Sequence, residues 1–328
     1  MSIRLRRREF IVGLGGAAAW PLAARAQQQT KPIIGWLRTW PGPRVPIDAF
    51  RRGLAEIGFL EGRDVTVEHH TAEGHLEQLP SLVADLVRRR VAVIFAQTDD
   101  SALAAKTATR TIPVVFAVGD DPVGLGLVAS LNRPGGNLTG VAALINEIAA
   151  KRLELLHKLV PATESIAMFS GPTTEASPQA EARNVQSAAG ALGLRLLLSK
   201  ATTESEIAAA FATLVEQQAG AVFVGGSVQL IPRYDQIISL AARHALPTMF
   251  AYGSVVREGG LLSYGYLGSE ANRLMAAYTG RILKGEKPAD LPVQQATRFE
   301  FVINLKTIRA LKLEIPPLLL ALADEVIE

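Results

Sequence analysis

From Lys31 onward the chain alternates short β-branched apolar runs with stretches of helical spacing, and it does so twice in the same order. That alternation restricts the fold to α/β architectures in which a parallel sheet is covered by helices on both faces. In the first series Ile33 to Leu37, Asp64 to His69, Val91 to Ala96 and Pro113 to Val118 read as strands. Helices are predicted between them over Pro46 to Ile57, Leu76 to Arg90 and Ser101 to Arg110. In the second series Ile166 to Phe169, Leu194 to Leu198, Ala221 to Val224 and Pro247 to Ala251 read as strands. Its helices are predicted over Ala180 to Leu192, Glu204 to Gln218 and Tyr234 to His244.

The two series share a register. Ile112 to Gly119 (IPVVFAVG) parallels Leu246 to Gly253 (LPTMFAYG) at an offset of 134 residues. Gly58 and Gly193, each ending the first helix of its half, are 135 apart, and Phe95 and Phe223 in the third strands are 128 apart. A nearly constant offset predicts two lobes of common plan. A chain of 328 residues, 48% of them hydrophobic, is long enough for two cores.

The halves are joined by the turn-rich run Asn132-Arg133-Pro134-Gly135-Gly136-Asn137 and the extended Leu138 to Val141. A second extended run, Gly260 to Tyr266, precedes a helix over Ala271 to Lys284, and Pro292 to Ala296 and Phe299 to Asn304 again look extended. The tail from Lys306 reads as two short helices interrupted by Pro316-Pro317. The expected fold is therefore α/β, with two doubly wound parallel-sheet lobes joined by a multi-strand hinge that bends without letting them part. Residues 31–141 with 264–295 are expected to form the first lobe, and 142–263 with 296–328 the second.

Residues 1–26 are expected to be an export signal. Arg6-Arg7-Arg8, an uncharged stretch from Phe10 to Ala24 and Ala24-Arg25-Ala26 follow the order charged, apolar, small-x-small. Arg7-Arg8-Glu9-Phe10-Ile11 resembles a twin-arginine address, and cleavage is expected after Ala26, giving a periplasmic protein. The same segment explains the sequence pI of 9.2. Without its five arginines and Glu9 the chain keeps 29 basic and 30 acidic residues, so no basic footprint for nucleic acid remains. Arg88-Arg89-Arg90 ends a helix, where cations offset the macrodipole.

In open parallel sheets ligands bind beyond the carboxyl ends of the strands, where helix N-termini present unpaired N–H groups. The first half offers Arg38, Thr39 and Trp40, then Gln97, Thr98, Asp99, Asp100 and Ser101, then Gly119 and Asp120. The second half offers Pro172 and Thr173, Gly226 and Ser227, and Tyr252 and Ser254, with Tyr264 on the following extended run. Asp99, Asp100 and Ser101 also suit helix capping. Trp40 in a Pro/Gly loop and Tyr252 on the opposite lip are expected to sandwich part of a small solute.

Signals for catalysis are absent from the sequence. There is no cysteine, no Gly-x-Ser-x-Gly elbow and no phosphate loop, so no cofactor is expected. His69 and His70 point to opposite sides of a strand, which argues against a metal site. The rival reading is a two-lobed transferase or isomerase using Asp99, Asp100 or Asp120 as acid or base. A sugar-responsive repressor core would need an N-terminal helix-turn-helix where the export signal stands.

Several segments are similar to a known family. Ala129 to Val141 (ASLNRPGGNLTGV), Lys151 to Leu156 (KRLELL), Gly259 to Gly265 (GGLLSYG), Ile282 to Pro292 (ILKGEKPADLP) and Ile315-Pro316-Pro317 resemble ABC-transporter substrate-binding proteins of the tryptophan/tyrosine-binding type. The resemblance implies a type I periplasmic-binding fold with three interlobe crossings, a partner permease with its ATPase, and no reaction chemistry. A monomer is expected. The turn Gln97-Thr98-Asp99-Asp100-Ser101 departs from the Gly-Thr type turn common in that family, and its added acids favour a ligand with an ammonium or several hydroxyls.

Overall fold

The computed structural model describes residues 31–39, 47–171 and 176–328. The predicted signal, Trp40, Pro172 and Thr173 lie outside the described residues. Two sheets account for the strands. The first contains β1 (Ile33–Arg38), β2 (Thr66–Thr71), β3 (Val93–Gln97), β4 (Val114–Val118), β5 (Leu138–Ala142) and β11 (Gln294–Gln295), in the order β2-β1-β3-β4-β5-β11. The second contains β6 (Ser165–Phe169), β7 (Arg195–Ser199), β8 (Ala221–Val224), β9 (Thr248–Phe250), β10 (Leu262–Tyr266), β12 (Phe299–Asn304) and β13 (Glu325–Ile327), in the order β7-β6-β8-β9-β10-β12-β13. Within their first five strands the two orders are the same doubly wound pattern. All pairs are parallel except β10 with β12.

The sequence match at 134 residues falls on β4 and β9, fourth in each lobe. Gly58 and Gly193 both hold positive φ, +92° and +71°, so each supplies the left-handed residue that ends a helix. The repeat extends to the fifth strands. A Cβ on Gly140 would stand 2.0 Å from the Phe116 carbonyl oxygen, and one on Gly265 would stand 1.9 Å from that of Ala251. Only glycine permits so close an approach.

Two helices do not stay with the sheet of the strand that precedes them. In the first lobe, α1 (Ile47–Glu56), α2 (Leu79–Arg88) and α3 (Asp99–Ala108) cover the sheet. After β5 the chain crosses, and α4 (Ala149–Leu159) packs its buried Leu153, Leu156 and Leu159 on the second sheet with α5 (Ala176–Ala191). α6 (Glu204–Glu216), α7 (Tyr234–Arg243) and the short α8 (Gly253–Arg257) complete that lobe. After β10 the chain returns, and α9 (Gly268–Leu283) buries Met275, Ala276 and Ile282 against Trp36 and Phe50 of the first lobe. A third passage runs from β11 to β12. Each long excursion deposits a helix on the opposite sheet, which is why the lobes are tied rather than strung. β10 pairs as far as Tyr266, two residues past the sequence boundary at 264.

The tail differs from its expectation in one respect. α10 (Leu305–Ala310) and α11 (Pro317–Leu322) are the two short helices, but β13 follows them as an edge strand. Arg257 holds it through Glu325 at 2.5 Å and Glu300 at 2.8 Å, a tertiary arrangement with no local sequence signal. The arginine run behaves as a solvated helix end, with Arg89 paired to Glu68 at 2.6 Å.

Candidate functional site

A cavity of about 90 Å³ lies between the two sheets, at the carboxyl ends of their strands. The first lobe contributes Gln97, Thr98, Asp99, Ala117, Val118 and Gly119; the second contributes Glu181, Gly226, Ser227, Tyr252 and Tyr266. Ile145 and Asn146 reach it from the first crossing.

On the first rim, Thr98 caps α3: its Oγ1 accepts from Ser101 N at 3.2 Å and donates to Ser101 Oγ at 3.0 Å. Capping therefore falls to Thr98, and Asp99 is released to face the cavity. Its Oδ1 accepts the Gly119 N–H at 2.9 Å. Burial, with a smaller push from the charge of Asp120, raises the Asp99 carboxyl to about 7 against the hydrogen bonds from Gly119 and Asp120. Gln97 is oriented from below, its Oε1 accepting the Trp36 indole N–H at 2.9 Å.

On the second rim, Glu181 is 2% exposed and accepts the Gly226 N–H at 2.9 Å through Oε2. The fully buried Arg152 pairs with its other oxygen and lies 4.8 Å from the Phe223 ring centroid. Tyr252 donates to Gly226 O at 3.1 Å and meets Tyr266 edge-on at 6.2 Å. Burial holds the Tyr252 hydroxyl well above the ordinary phenol range, and burial with the Asp99 charge pushes Tyr266 up to about 12. Both phenols stay neutral, and Tyr252 commits its proton to Gly226 O. Among the described residues, no lysine, arginine or histidine lines the cavity, and no group of three acidic or histidine side chains suited to a metal occurs.

Comparison with known proteins decides what kind of cleft this is. The family described as ABC transporter substrate binding protein matches residues 41–327. The chain belongs to this family. It is 25% identical over 269 residues, 81% of its length and 76% of the relative's, to a tyrosine-binding protein of Clostridioides difficile strain R20291. A Vibrio cholerae conserved domain protein matches with TM-score 0.81 and 26% identity over 90% of this chain and all of that one. A Streptococcus pneumoniae ABC domain in complex with L-Trp matches with TM-score 0.80 and 25% identity over 91% of this chain and all of that one. The lobes share the type I periplasmic-binding fold with more distant solute-binding proteins. Capture of a small molecule for an ABC importer follows from family membership, and the transferase or isomerase reading is not favoured.

In this substrate-binding protein, the expected Gln97, Thr98, Asp99, Gly119, Gly226, Ser227 and Tyr252 converge on one cavity. The other described candidates do not line it. Arg38 lies over Trp36, 5.7 Å from the ring centroid, and Thr39 is buried. Ser101 is consumed by the cap, Asp100 stands in the first turn of α3, and Asp120 accepts from Asn146 behind the lining. Ser254 lies in α8, and Tyr264 stacks on Phe299 at 5.9 Å, inside the second lobe. Tyr264 therefore serves packing: it shares a strand face with Tyr266 but sits two residues back from the carboxyl end, where Tyr266 meets the cavity. Ala117, Val118, Ile145, Asn146, Glu181 and Tyr266 were not anticipated. Glu181 lies within an ordinary helical pattern, but Tyr266 follows from the strand-end rule once Leu262–Tyr266 is placed in a sheet.

Proposed function

We propose that this protein is exported, loses residues 1–26 and works in the periplasm as a monomer. There it captures an aromatic amino acid and presents it to a permease with its ATPase. Residues 31–141 with 267–295 form one rigid lobe and 142–266 with 296–328 the other, and hinge bending at the three crossings closes them on the solute. The observation that carries the reading is a cavity lined from both sheets by two neutral tyrosines, two hydroxyls and two acids, in a member of a substrate-binding family. The printed ligands of two relatives, tyrosine and L-Trp, support the solute class. Gln97, Thr98, Asp99, Gly119, Gly226, Ser227 and Tyr252 are the contacts proposed from the described rim, and Trp40, Pro172 and Thr173 are proposed from the sequence alone. The acids suit an ammonium, and the N-terminus of α3 suits a carboxylate. Nothing is turned over: binding to the closed form alone shifts the population.

The test is a thermal-shift screen of the protein against L-tyrosine, L-tryptophan, other amino acids, sugars and polyamines. A ligand at about 100 times its dissociation constant adds about 2.7 kcal/mol. A melting temperature unmoved by every amino acid rejects the solute class, and chemical conversion of a bound compound rejects the transport reading.

A further inference from the structure

The first crossing does more than connect the lobes, because Ile145 and Asn146 run through the cleft and hold both rims. The Ile145 N–H donates to Gly119 O at 2.8 Å in the first lobe, and its carbonyl accepts from Arg152 Nη2 at 3.4 Å in the second. Asn146 repeats the arrangement: its amide donates to Asp120 Oδ1, and its carbonyl accepts from Asn184 Nδ2 at 2.9 Å. The preceding residue, Leu144, holds φ at +48°, a conformation that a branched side chain keeps only when its surroundings impose it.

These anchors fix the Ile145 side chain, which is partly exposed to the cavity. It rests between two rim glycines. A Cβ on Gly226 would come 2.9 Å from Ile145 Cγ2, and one on Gly119 would come 3.2 Å from Ile145 Cδ1. Neither glycine has positive φ, so backbone conformation does not require it. What each provides is the room that the isoleucine fills.

We propose that Ile145 sets the size limit of the solute. Its side chain, delivered by the crossing between Gly119 and Gly226, occupies the part of the cleft that a bulkier ligand would need. The inference rests on the solute-binding reading and adds to it the residue that selects by size. Ile145 also adds an aliphatic side chain to a lining that holds Tyr252 and Tyr266. A change of one methylene in such a pocket shifts discrimination about 10–200-fold.

The test is calorimetric binding of glycine, L-alanine, L-leucine, L-phenylalanine, L-tyrosine and L-tryptophan to the protein and to Ile145→Ala and Ile145→Phe, each checked for an intact melting transition. Ile145→Ala should raise the ratio of L-tryptophan to L-alanine affinity about tenfold or more, and Ile145→Phe should lower it. Ratios unchanged in both variants overturn the proposal. If the unsubstituted protein takes none of the six, the amino-acid reading fails and the size proposal is decided by a second variant. Ile145→Cys carries a unique thiol, because the chain has no cysteine. Its benzyl methanethiosulfonate adduct should show a larger radius of gyration by small-angle scattering than its methyl adduct, since the larger group wedges the lobes open. Equal radii overturn the proposal.

Discussion

The two lobes face the same task at their rims and solve it differently. Each ties a loop N–H to a carboxylate at the cavity, Gly119 to Asp99 in the first lobe and Gly226 to Glu181 in the second. The second lobe compensates its acid with a buried guanidinium, Arg152. In the first lobe burial, with smaller pushes from the charges of Asp120 and Asp100, raises Asp99, so the carboxyl keeps its proton up to about pH 7. One rim is fixed by an ion pair and the other by a proton. Sensitivity to pH should therefore reside in the first lobe, and intolerance of substitution in the second.

The sharpest way to break this contrast is Arg152→Met. Leaving Glu181 buried without its cation should cost about 3–5 kcal/mol, read as a lower urea midpoint. A loss below about 1 kcal/mol would mean that the pair is not what holds the rim. Asp99→Asn keeps the acceptor for Gly119 and removes the titration. The folded state binds more protons than the unfolded between the usual aspartate value and about pH 7, so wild-type stability should fall as pH rises through that window. The variant should gain on the wild type by roughly 2–4 kcal/mol from pH 4 to pH 8, and a difference flat with pH would remove the proton from the account.

Smaller effects sharpen the same comparison. Thr98→Ala removes the cap that frees Asp99 and should cost about 1 kcal/mol in thermal unfolding, whereas Ser227→Ala, whose hydroxyl accepts from Gln229 N at 3.4 Å, should cost less. The reverse ranking would mean that the second rim depends more on its cap. Tyr252→Phe loses the bond to Gly226 O and should change stability by about 0.5–1.5 kcal/mol, measured by calorimetry.

Much of the frame could be read from residue order, because strand and helix periodicity and a repeated register are local or nearly local signals. Gly58 and Gly193, Phe95 and Phe223, and the β4 and β9 match all fall at corresponding places in the two lobes. The rim loops were equally accessible, since the strand-end rule needs only the strands. What escaped were residues whose role depends on distant packing. Glu181 has the spacing of a solvated helix acid and becomes buried only because α4 lays Arg152 against it. Ile145 and Asn146 carry no motif, and only the path of the crossing brings them into the cleft. Asp99 looked like a helix cap, a role that Thr98 in fact performs.

The three passages between the sheets also bear on kinetics. Because they bind each jaw covalently to its counterpart, the jaws meet at a local effective concentration that dilution of the protein cannot lower. Shutting on a captured molecule is thus a first-order event. Its probability is the same for a scarce receptor as for an abundant one, and only the initial encounter with the solute responds to supply.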